Sequence, residues 1–320
     1  MIAFTARRIG AAVLTAWVAS IIAFVLFWTV PNVDPSYFLG GAEHGNAFTR
    51  QQAKEEYGLD EPLPTQYVQL MKSILNGDIE CFYGCASLRT AFLDALPVTA
   101  SLVFGAALVA VGLGVWLAMI AVRHRGRWQD RAITATATAL YSVPSIVLSA
   151  LLWAFVAHKW GWFPDGGYTA LRDDPVDWAR HLFLPWLAAG LPFAGAYIQI
   201  VRASLVSAVD EEWVRTARAK GLSEKRVIRR HVLRNGLIPP VNIWGLDFSH
   251  AFGGFALYVE VIFGLPGVGA LTADTIGTFD LPPIVSLAVY LAIVVVLTSA
   301  VVDIATAWLD PRIRRPRPST

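Results

Sequence analysis

Charged residues are scarce in this chain of 320 residues. Asp, Glu, Lys and Arg together make up 16% of it, whereas soluble domains typically contain roughly 25%. Hydrophobic residues supply 55% of the chain, and its mean hydropathy is +0.51. This composition excludes an ordinary soluble globular protein and predicts a membrane protein with several spans. The formal net charge is only +2, so the position of each charge carries more information than the sum.

Cysteine is almost absent, which limits the metal sites and disulfides that the chain can form. Cys81 and Cys85 are the only two cysteines. Two thiols are too few for a structural metal site, and no His/Cys cluster lies near them in the sequence. If this segment lies outside the cell, the two can form a local disulfide that closes a small loop. The alternative is a pair of free or buried thiols.

Several functional motifs are also missing from the sequence. No G-x-x-x-x-G-K-[ST] pattern occurs, so the chain lacks the loop that cradles nucleotide phosphates. We find no His-Glu-x-x-His motif and no Ser/Lys pair within the apolar runs, which argues against an intramembrane enzyme. No internal repeat is evident, and secondary transporters commonly contain one. We therefore expect no catalytic residues, no metal site and no nucleic-acid partner.

Long apolar runs are what the sequence does contain. Six of them are long enough to cross a bilayer, which takes about 20 residues. The first run is too long for the core of a signal peptide and is not followed by a cleavage pattern, so we expect it to be retained. Pro144 in the third run, and Pro185 and Pro192 in the fourth, predict kinks. The six runs are 9–30, 95–122, 132–157, 182–201, about 238–263, and 284–302.

Basic residues predict how these spans are oriented. Nineteen of the 26 Lys and Arg residues lie before the first run, between the second and third, between the fourth and fifth, or after the sixth. These four segments share one side of the membrane. The positive-inside rule makes that side cytoplasmic, so both termini are expected in the cytoplasm.

The segment after the first span has the opposite character. Residues 31–94 contain nine acidic and four basic residues. Thr49 is a possible N-cap for one short helix, and Asn76-Gly77 is placed to end a second. We therefore divide the chain into a first transmembrane helix, a small extracytoplasmic subdomain, a five-helix core that contains a cytoplasmic segment, and a basic tail. The boundaries are 1–30, 31–94, 95–308 with the segment 208–236, and 309–320.

The cytoplasmic segment contains the stretch "DEEWVRTARAKGLSEKRVIRRHVLRN", residues 210–235. Asp210 to Lys220 has acids first and bases last, as a helix dipole favours, and Gly221 is placed to end that helix in a left-handed cap. Ser223 can cap a second helix, which has an apolar side and a basic stripe. One interpretation is an amphipathic helix that lies on lipid. The helix–glycine–helix pattern favours a finger that fits the groove of a partner.

This segment resembles the cytoplasmic coupling segment of permease subunits of bacterial ABC importers. The general signature of those subunits is Glu-Ala-Ala, three residues and Gly, and here Arg215-Thr216-Ala217 stands in the Glu-Ala-Ala place. The Arg-Thr-Ala-Arg-Ala-Lys-Gly form is similar to the oligopeptide/dipeptide permease class. Other stretches resemble the first-permease (B-type) subunit of that class, although the segment with the two cysteines departs from it. They are "ARRIGAAVLTAWVASIIAFVLFW", "ILNGDI", "YVEVIFGLPGVGALTADTI" and "WLDPRIR".

The resemblance implies an all-α polytopic fold with six transmembrane helices, like type I ABC importers, in the plasma (inner) membrane of a bacterium. It implies a second permease subunit, two ATPase subunits that bind ATP and Mg, and an extracytoplasmic solute-binding protein. The cargo it implies is a peptide, although oligosaccharides and nickel complexes are also carried by this class. The residues expected to couple to the ATPase are Arg215, Thr216, Ala217, Arg218, Lys220 and Gly221.

Ionisable residues within the spans are candidates for the translocation pathway, because charges in lipid are costly. Asp247 and His250 lie three residues apart and share a helix face. Glu260 lies near the outer end of the same span, and Asp303 near the inner end of the sixth. We predict that Asp247, His250 and Glu260 line the pathway. The alternatives are that Asp247 and His250 only bind a neighbouring helix, and that Glu260 and Asp303 are interfacial charges.

Overall fold

The computed structural model describes residues 2–29, 60–79, 87–228, 232–278 and 281–309, and within these ranges the regular structure is helical. The predicted helix at Thr49, the two cysteines Cys81 and Cys85, and the basic tail lie outside the described residues. We number the helices in chain order. They are α1 (Ile2–Thr29), α2 (Leu63–Asn76), α3 (Leu88–Arg123), α4 (Trp128–Ser142), α5 (Ser145–Leu151, continued by a π-helix over Leu152–Lys159), α6 (Pro175–Val209), α7 (Glu212–Ala219), α8 (Glu224–Val227), α9 (Leu233–Gly236), α10 (Ile238–Ala251), α11 (Phe255–Phe263), α12 (Val268–Thr278) and α13 (Leu281–Leu309).

Six membrane spans fit this set of helices. Among the described residues, α1, α3, α6 and α13 are each long and apolar enough to cross a bilayer alone. Two broken pairs, α4 with α5 and α10 with α11, bring the number to six if each pair is one span. The first pair, α4 with α5 and its π-helix, bends by 90°. Pro144 stands at that break with φ −59°, as the predicted kink requires. Pro185 and Pro192 instead lie inside α6, which is uninterrupted.

The segment after the first span contains one of the two helices that its sequence predicts. Helix α2 ends at Asn76, and Gly77 follows with φ 86°, in the left-handed conformation expected of a terminal glycine. The Ser87 hydroxyl donates to the Gly77 carbonyl at 2.8 Å, which brings the end of α2 close to the start of α3. Helix α3 begins at Leu88, so the boundary that we predicted at 94/95 falls inside a helix.

The chain divides into two compact units. The first comprises residues 1–100 and 252–300. Its core joins α2 to the spans, since Leu70 and Ile74 of α2 are buried with residues of α1, α3, α12 and α13. Two hydrogen bonds support this packing: Ser20 and Tyr67 lie 2.7 Å apart, and the Tyr290 hydroxyl donates to the Ile74 carbonyl at 2.7 Å. Helix α2, in the second half of the segment 31–94, is therefore a packed element.

The second unit comprises residues 101–251 and 301–320, and its helices approach closely at glycines. A Cβ atom on Gly195 of α6 would lie 2.5 Å from the carbonyl oxygen of Ala137 in α4. A Cβ on Gly190 would lie 2.8 Å from the carbonyl oxygen of Ala106 in α3. Small residues allow this contact between membrane helices, where tight packing replaces the hydrophobic effect as a source of stability. Helix α6 is thus the centre of the unit.

Candidate functional site

The predicted helix–glycine–helix pattern is present in the second unit. Helix α7 carries Glu212 in its first turn and Arg218 in its last. Gly221 follows with φ 76° and donates its N–H to the Arg218 carbonyl at 2.9 Å, so the predicted left-handed termination is confirmed. The next helix, α8, opens with backbone bonds from Arg226 and Val227 to the Ser223 carbonyl.

The apolar side of this segment is anchored on the ends of the membrane helices. Val214 of α7 and Val227 of α8 are fully buried. They pack against residues of α3 and α6, so both short helices are held on these two longer ones. This cluster stabilises the segment as a fixed projection rather than a loose loop. Its buried members are Ala118, Val122, Val201, Leu205, Val214, Ala217, Val227 and Val232.

The predicted second helix is described in two parts. Helix α8 covers four residues and α9 another four. Residues 229–231, which include Arg230 of the predicted basic stripe, lie outside the described residues.

Most of the predicted coupling residues lie on one exposed surface. Arg215, Thr216, Arg218, Lys220 and Gly221 are exposed, and we call these five residues the coupling surface. Ala217 differs, because it is only 6% exposed and packs in the cluster beneath α7. The alternation follows from helix periodicity, since Val214 and Ala217 are three residues apart and face the same way. Ala217 therefore anchors the surface and does not belong to it.

An ion pair with a buried carboxylate joins α4 to α6, the helix that leads into this segment. The Arg202 guanidinium in α6 donates two hydrogen bonds to the Asp130 carboxylate in α4, at 2.6 and 2.7 Å. The Gly126 N–H donates to the same carboxylate at 3.0 Å, and Asp130 is 5% exposed. Sequence reasoning missed this pair. The available signal was a single Asp between the arginines of a basic loop.

A second, exposed ion pair joins the same loop to the start of the coupling segment. The Arg125 guanidinium lies 3.2 Å from the Asp210 carboxylate, and both side chains are at least half exposed. Exposed pairs contribute little to stability. The buried Asp130–Arg202 pair is the stronger connection because its hydrogen bonds are charge-assisted and bidentate.

The predicted pathway residues Asp247 and His250 lie on helix α10. The Tyr197 hydroxyl in α6 donates to Asp247 Oδ2 at 2.6 Å. Tyr197 is buried and Asp247 half-buried, whereas His250 is exposed. Tyr197 was not predicted, because its partner is 50 residues away in the sequence. It also borders an apolar cavity of about 70 Å³, lined by Val111, Val115, Tyr197, Val201, Leu237, Pro240, Val241 and Trp244.

Glu260 occupies a different setting, in the first unit. Its side chain is fully buried at 0% exposure. Its carboxylate accepts hydrogen bonds from the Thr99 hydroxyl at 2.7 Å and from the backbone N–H groups of Gly269 at 2.7 Å and Ala270 at 3.1 Å. A carboxylate enclosed in this way does not line an open pathway in this conformation. Full burial also argues against the alternative that Glu260 is a charge at the membrane interface.

Comparison with known proteins identifies the family. Residues 110–315 match the family described as the binding-protein-dependent transport system inner membrane component, and residues 1–103 match the corresponding N-terminal family. The chain belongs to this family. It is therefore an ABC importer permease and a multi-pass membrane protein, a component of a transport complex with other subunits. A permease of this kind is not an enzyme.

Individual relatives of the permease align over almost the whole chain. The di/tripeptide transport system permease protein DppB of Pseudomonas aeruginosa is 30% identical over 99% of this chain and 100% of its own length. The glutathione transport system permease protein GsiC of Escherichia coli O6:H1 is 30% identical over 98% of this chain and 99% of its own. Among solved structures, a chain of an amino acid ABC transporter with histidines is 17% identical, with a TM-score of 0.48 over 70% of this chain and 94% of that one.

Proposed function

We propose that this permease forms half of the translocation pathway of an ATP-driven importer of di- and oligopeptides, and that its coupling surface docks against a cytoplasmic ATPase subunit. The observation that carries the proposal is the construction of α7. Its apolar side is buried on α3 and α6, while Arg215, Arg218 and Lys220 stand exposed. A rigid basic projection of this kind fits a groove on a partner.

The coupling surface acts as a lever in this proposal. ATP and Mg bind to two partner ATPase subunits, because the permease sequence has no phosphate-binding loop. Closure of the ATPase pair pushes on α7, and the packed cluster beneath it transmits the push to α3 and α6. Packed helices move as rigid bodies, so the result is alternating access of the pathway. Gly221 sets the angle between the two helices of the projection.

Peptides are the proposed cargo. Two relatives that align from end to end are named for di/tripeptides and for glutathione, and both names denote small peptides. We assign the chain to the first of two different permease subunits, since its segment 31–94 is the insertion expected of that subunit. An extracytoplasmic solute-binding protein delivers the peptide. The distribution of basic residues supports a bacterial inner membrane location with both termini in the cytoplasm.

Purification of the tagged permease from its native membrane in mild detergent, followed by mass spectrometry, tests this proposal. We expect two ATPase chains and a second six-span permease to purify with it.

Proteoliposomes that contain the complex, with the solute-binding protein added outside, should then take up a labelled dipeptide only when ATP reaches the ATPase subunits. A permease that repeatedly purifies alone, or a complex that imports no peptide, contradicts the proposal.

A further inference from the structure

We propose that Asp247 is a recognition site for the cationic amino terminus of the cargo. This inference rests on the proposed function, since it concerns a peptide in the pathway. It begins with the depth of the residue in the membrane. Asp247 lies nine residues after the start of α10, which is about 14 Å along the helix axis. The hydrocarbon core is about 30 Å thick, so the carboxylate is near the middle of its span.

The surroundings of Asp247 leave its charge unbalanced. Oδ2 accepts the hydrogen bond from Tyr197. Within the part of the chain that the structure describes, no donor bonds to Oδ1, and no Lys, Arg or His forms an ion pair with the carboxylate. Intramembrane carboxylates are normally balanced by a cation or open to a water-filled cavity. Half-burial of Asp247 leaves room for such a cation to approach.

Asp247 shares its side of α10 with a second ionisable residue. His250 is exposed and lies about 60° from Asp247 around the helix. The apolar residues Ile243 and Leu246 of α10 are also exposed, at 39% and 55%. Polar groups facing lipid are costly, so we place the side with Asp247 and His250 towards the pathway.

The bond from Tyr197 prepares the carboxylate for one kind of ligand. It fixes the orientation of the carboxylate through Oδ2 and leaves Oδ1 without a hydrogen bond from the described residues. A peptide carries a primary ammonium at one end, which is a compact cation with three donors. An ammonium on Oδ1 forms a charge-assisted hydrogen bond, about twice as strong as a neutral one. A carboxyl terminus is repelled by the same group, so the site also orients the peptide.

Import of dialanine and of N-acetyl-dialanine by proteoliposomes containing the whole complex tests this site. The solute-binding protein is saturated with either peptide, which removes its own preference from the comparison. We expect the wild type to import the free peptide at least about tenfold faster than the blocked one. In Asp247→Asn the free-peptide rate should fall to the blocked-peptide rate, giving a ratio near 1. Asp247→Glu should keep most of the difference because it keeps the charge.

The controls separate recognition from folding. Asp94→Asn makes the same change at an exposed carboxylate at the start of α3 and should leave the ratio as in the wild type. A purely structural role for Asp247 would lower both import rates in proportion, and that result overturns the inference. A ratio near 1 in the wild type also overturns the inference, and this measurement does not depend on whether any variant folds. A wild-type complex that assembles but imports neither peptide contradicts the proposed function instead.

Discussion

The Glu260 carboxylate and the Thr99 hydroxyl lie 2.7 Å apart, and together they cap the first turn of α12 from outside that helix. Thr99 Oγ1 also accepts a hydrogen bond from the Val268 N–H at 2.8 Å. Glu260 accepts from the N–H groups of Gly269 and Ala270. The first-turn N–H groups of a helix have no partner inside it, and a negative charge there is favoured by the helix dipole. Three helices of the first unit are thereby held at one point.

Loss of the Glu260 carboxylate should destabilise the permease. In Glu260→Ala the two buried N–H groups and the Thr99 hydroxyl lose their acceptor, and each buried unsatisfied group costs about 1–3 kcal/mol. We expect a clearly lower melting temperature of the purified complex, followed by loss of the monodisperse peak on size exclusion. Asp274→Ala removes an exposed carboxylate from the same helix α12 and should melt like the wild type. Equal melting of the two variants contradicts this role.

Gly267 should be intolerant of any side chain. A Cβ at this position would collide with the Glu260 carboxyl group, which its hydrogen bonds hold in place. We expect Gly267→Ala to lower the melting temperature by several degrees, because overpacking in a tight core costs about 1–3 kcal/mol. Gly277→Ala is the matched control in α12, since a Cβ there meets nothing within 4 Å. If both variants melt alike, Glu260 is not held as tightly as its contacts indicate.

The buried pair beneath the coupling segment should matter more than the exposed one. Asp130→Asn weakens a bidentate pair whose Asp130 side chain is 5% exposed and whose Arg202 side chain is 29% exposed, and we expect a loss of about 1–3 kcal/mol. Arg125→Gln removes the pair with Asp210, which is at least half exposed, and should change stability by less than about 1 kcal/mol. Thermal melting of the two variants checks the order. A larger effect of Arg125→Gln contradicts it.

The left-handed backbone at Gly221 gives a prediction about coupling. A Cβ on Gly221 meets nothing within 4 Å, so the conformation alone limits the residues allowed there. Asn adopts positive φ readily, whereas a β-branched residue does so very rarely. Gly221→Asn should therefore retain ATP-dependent uptake, and Gly221→Val should lose most of it while peptide-stimulated ATP hydrolysis falls in parallel. Full uptake by Gly221→Val would mean that the bend at this residue plays no part in coupling.

Local sequence signals predicted much of this fold. The apolar runs predicted six spans, and the glycines at 77 and 221 predicted two helix ends, because each signal needs only neighbouring residues. The partners of buried charges were not predicted. Thr99 and Glu260 are 161 residues apart, and Asp130 and Arg202 are 72 apart. Nothing in the periodicity of one helix shows which distant side chain will meet it. The three-residue spacing of Val214 and Ala217 indicates that both are buried. The family motif covers the whole stretch and does not distinguish its buried residues from its exposed ones.

Cross-linking from the coupling surface tests the central claim most directly. Thr216 is exposed on α7, and within the part of the chain that the structure describes its hydroxyl donates only to the Glu212 carbonyl of the same helix. Thr216→Cys carrying a short photoactivatable label should therefore form an adduct with an ATPase subunit in native membranes. Arg172→Cys is the matched control, because Arg172 is 88% exposed in the loop before α6, on the side that the charge pattern assigns to the exterior.

We expect an ATPase adduct from Thr216→Cys and none from Arg172→Cys. An adduct formed only with lipid from Thr216→Cys would make α7 a helix that lies on the membrane surface. That result would contradict the claim that the exposed basic side of α7 is the connection between ATP hydrolysis and the pathway.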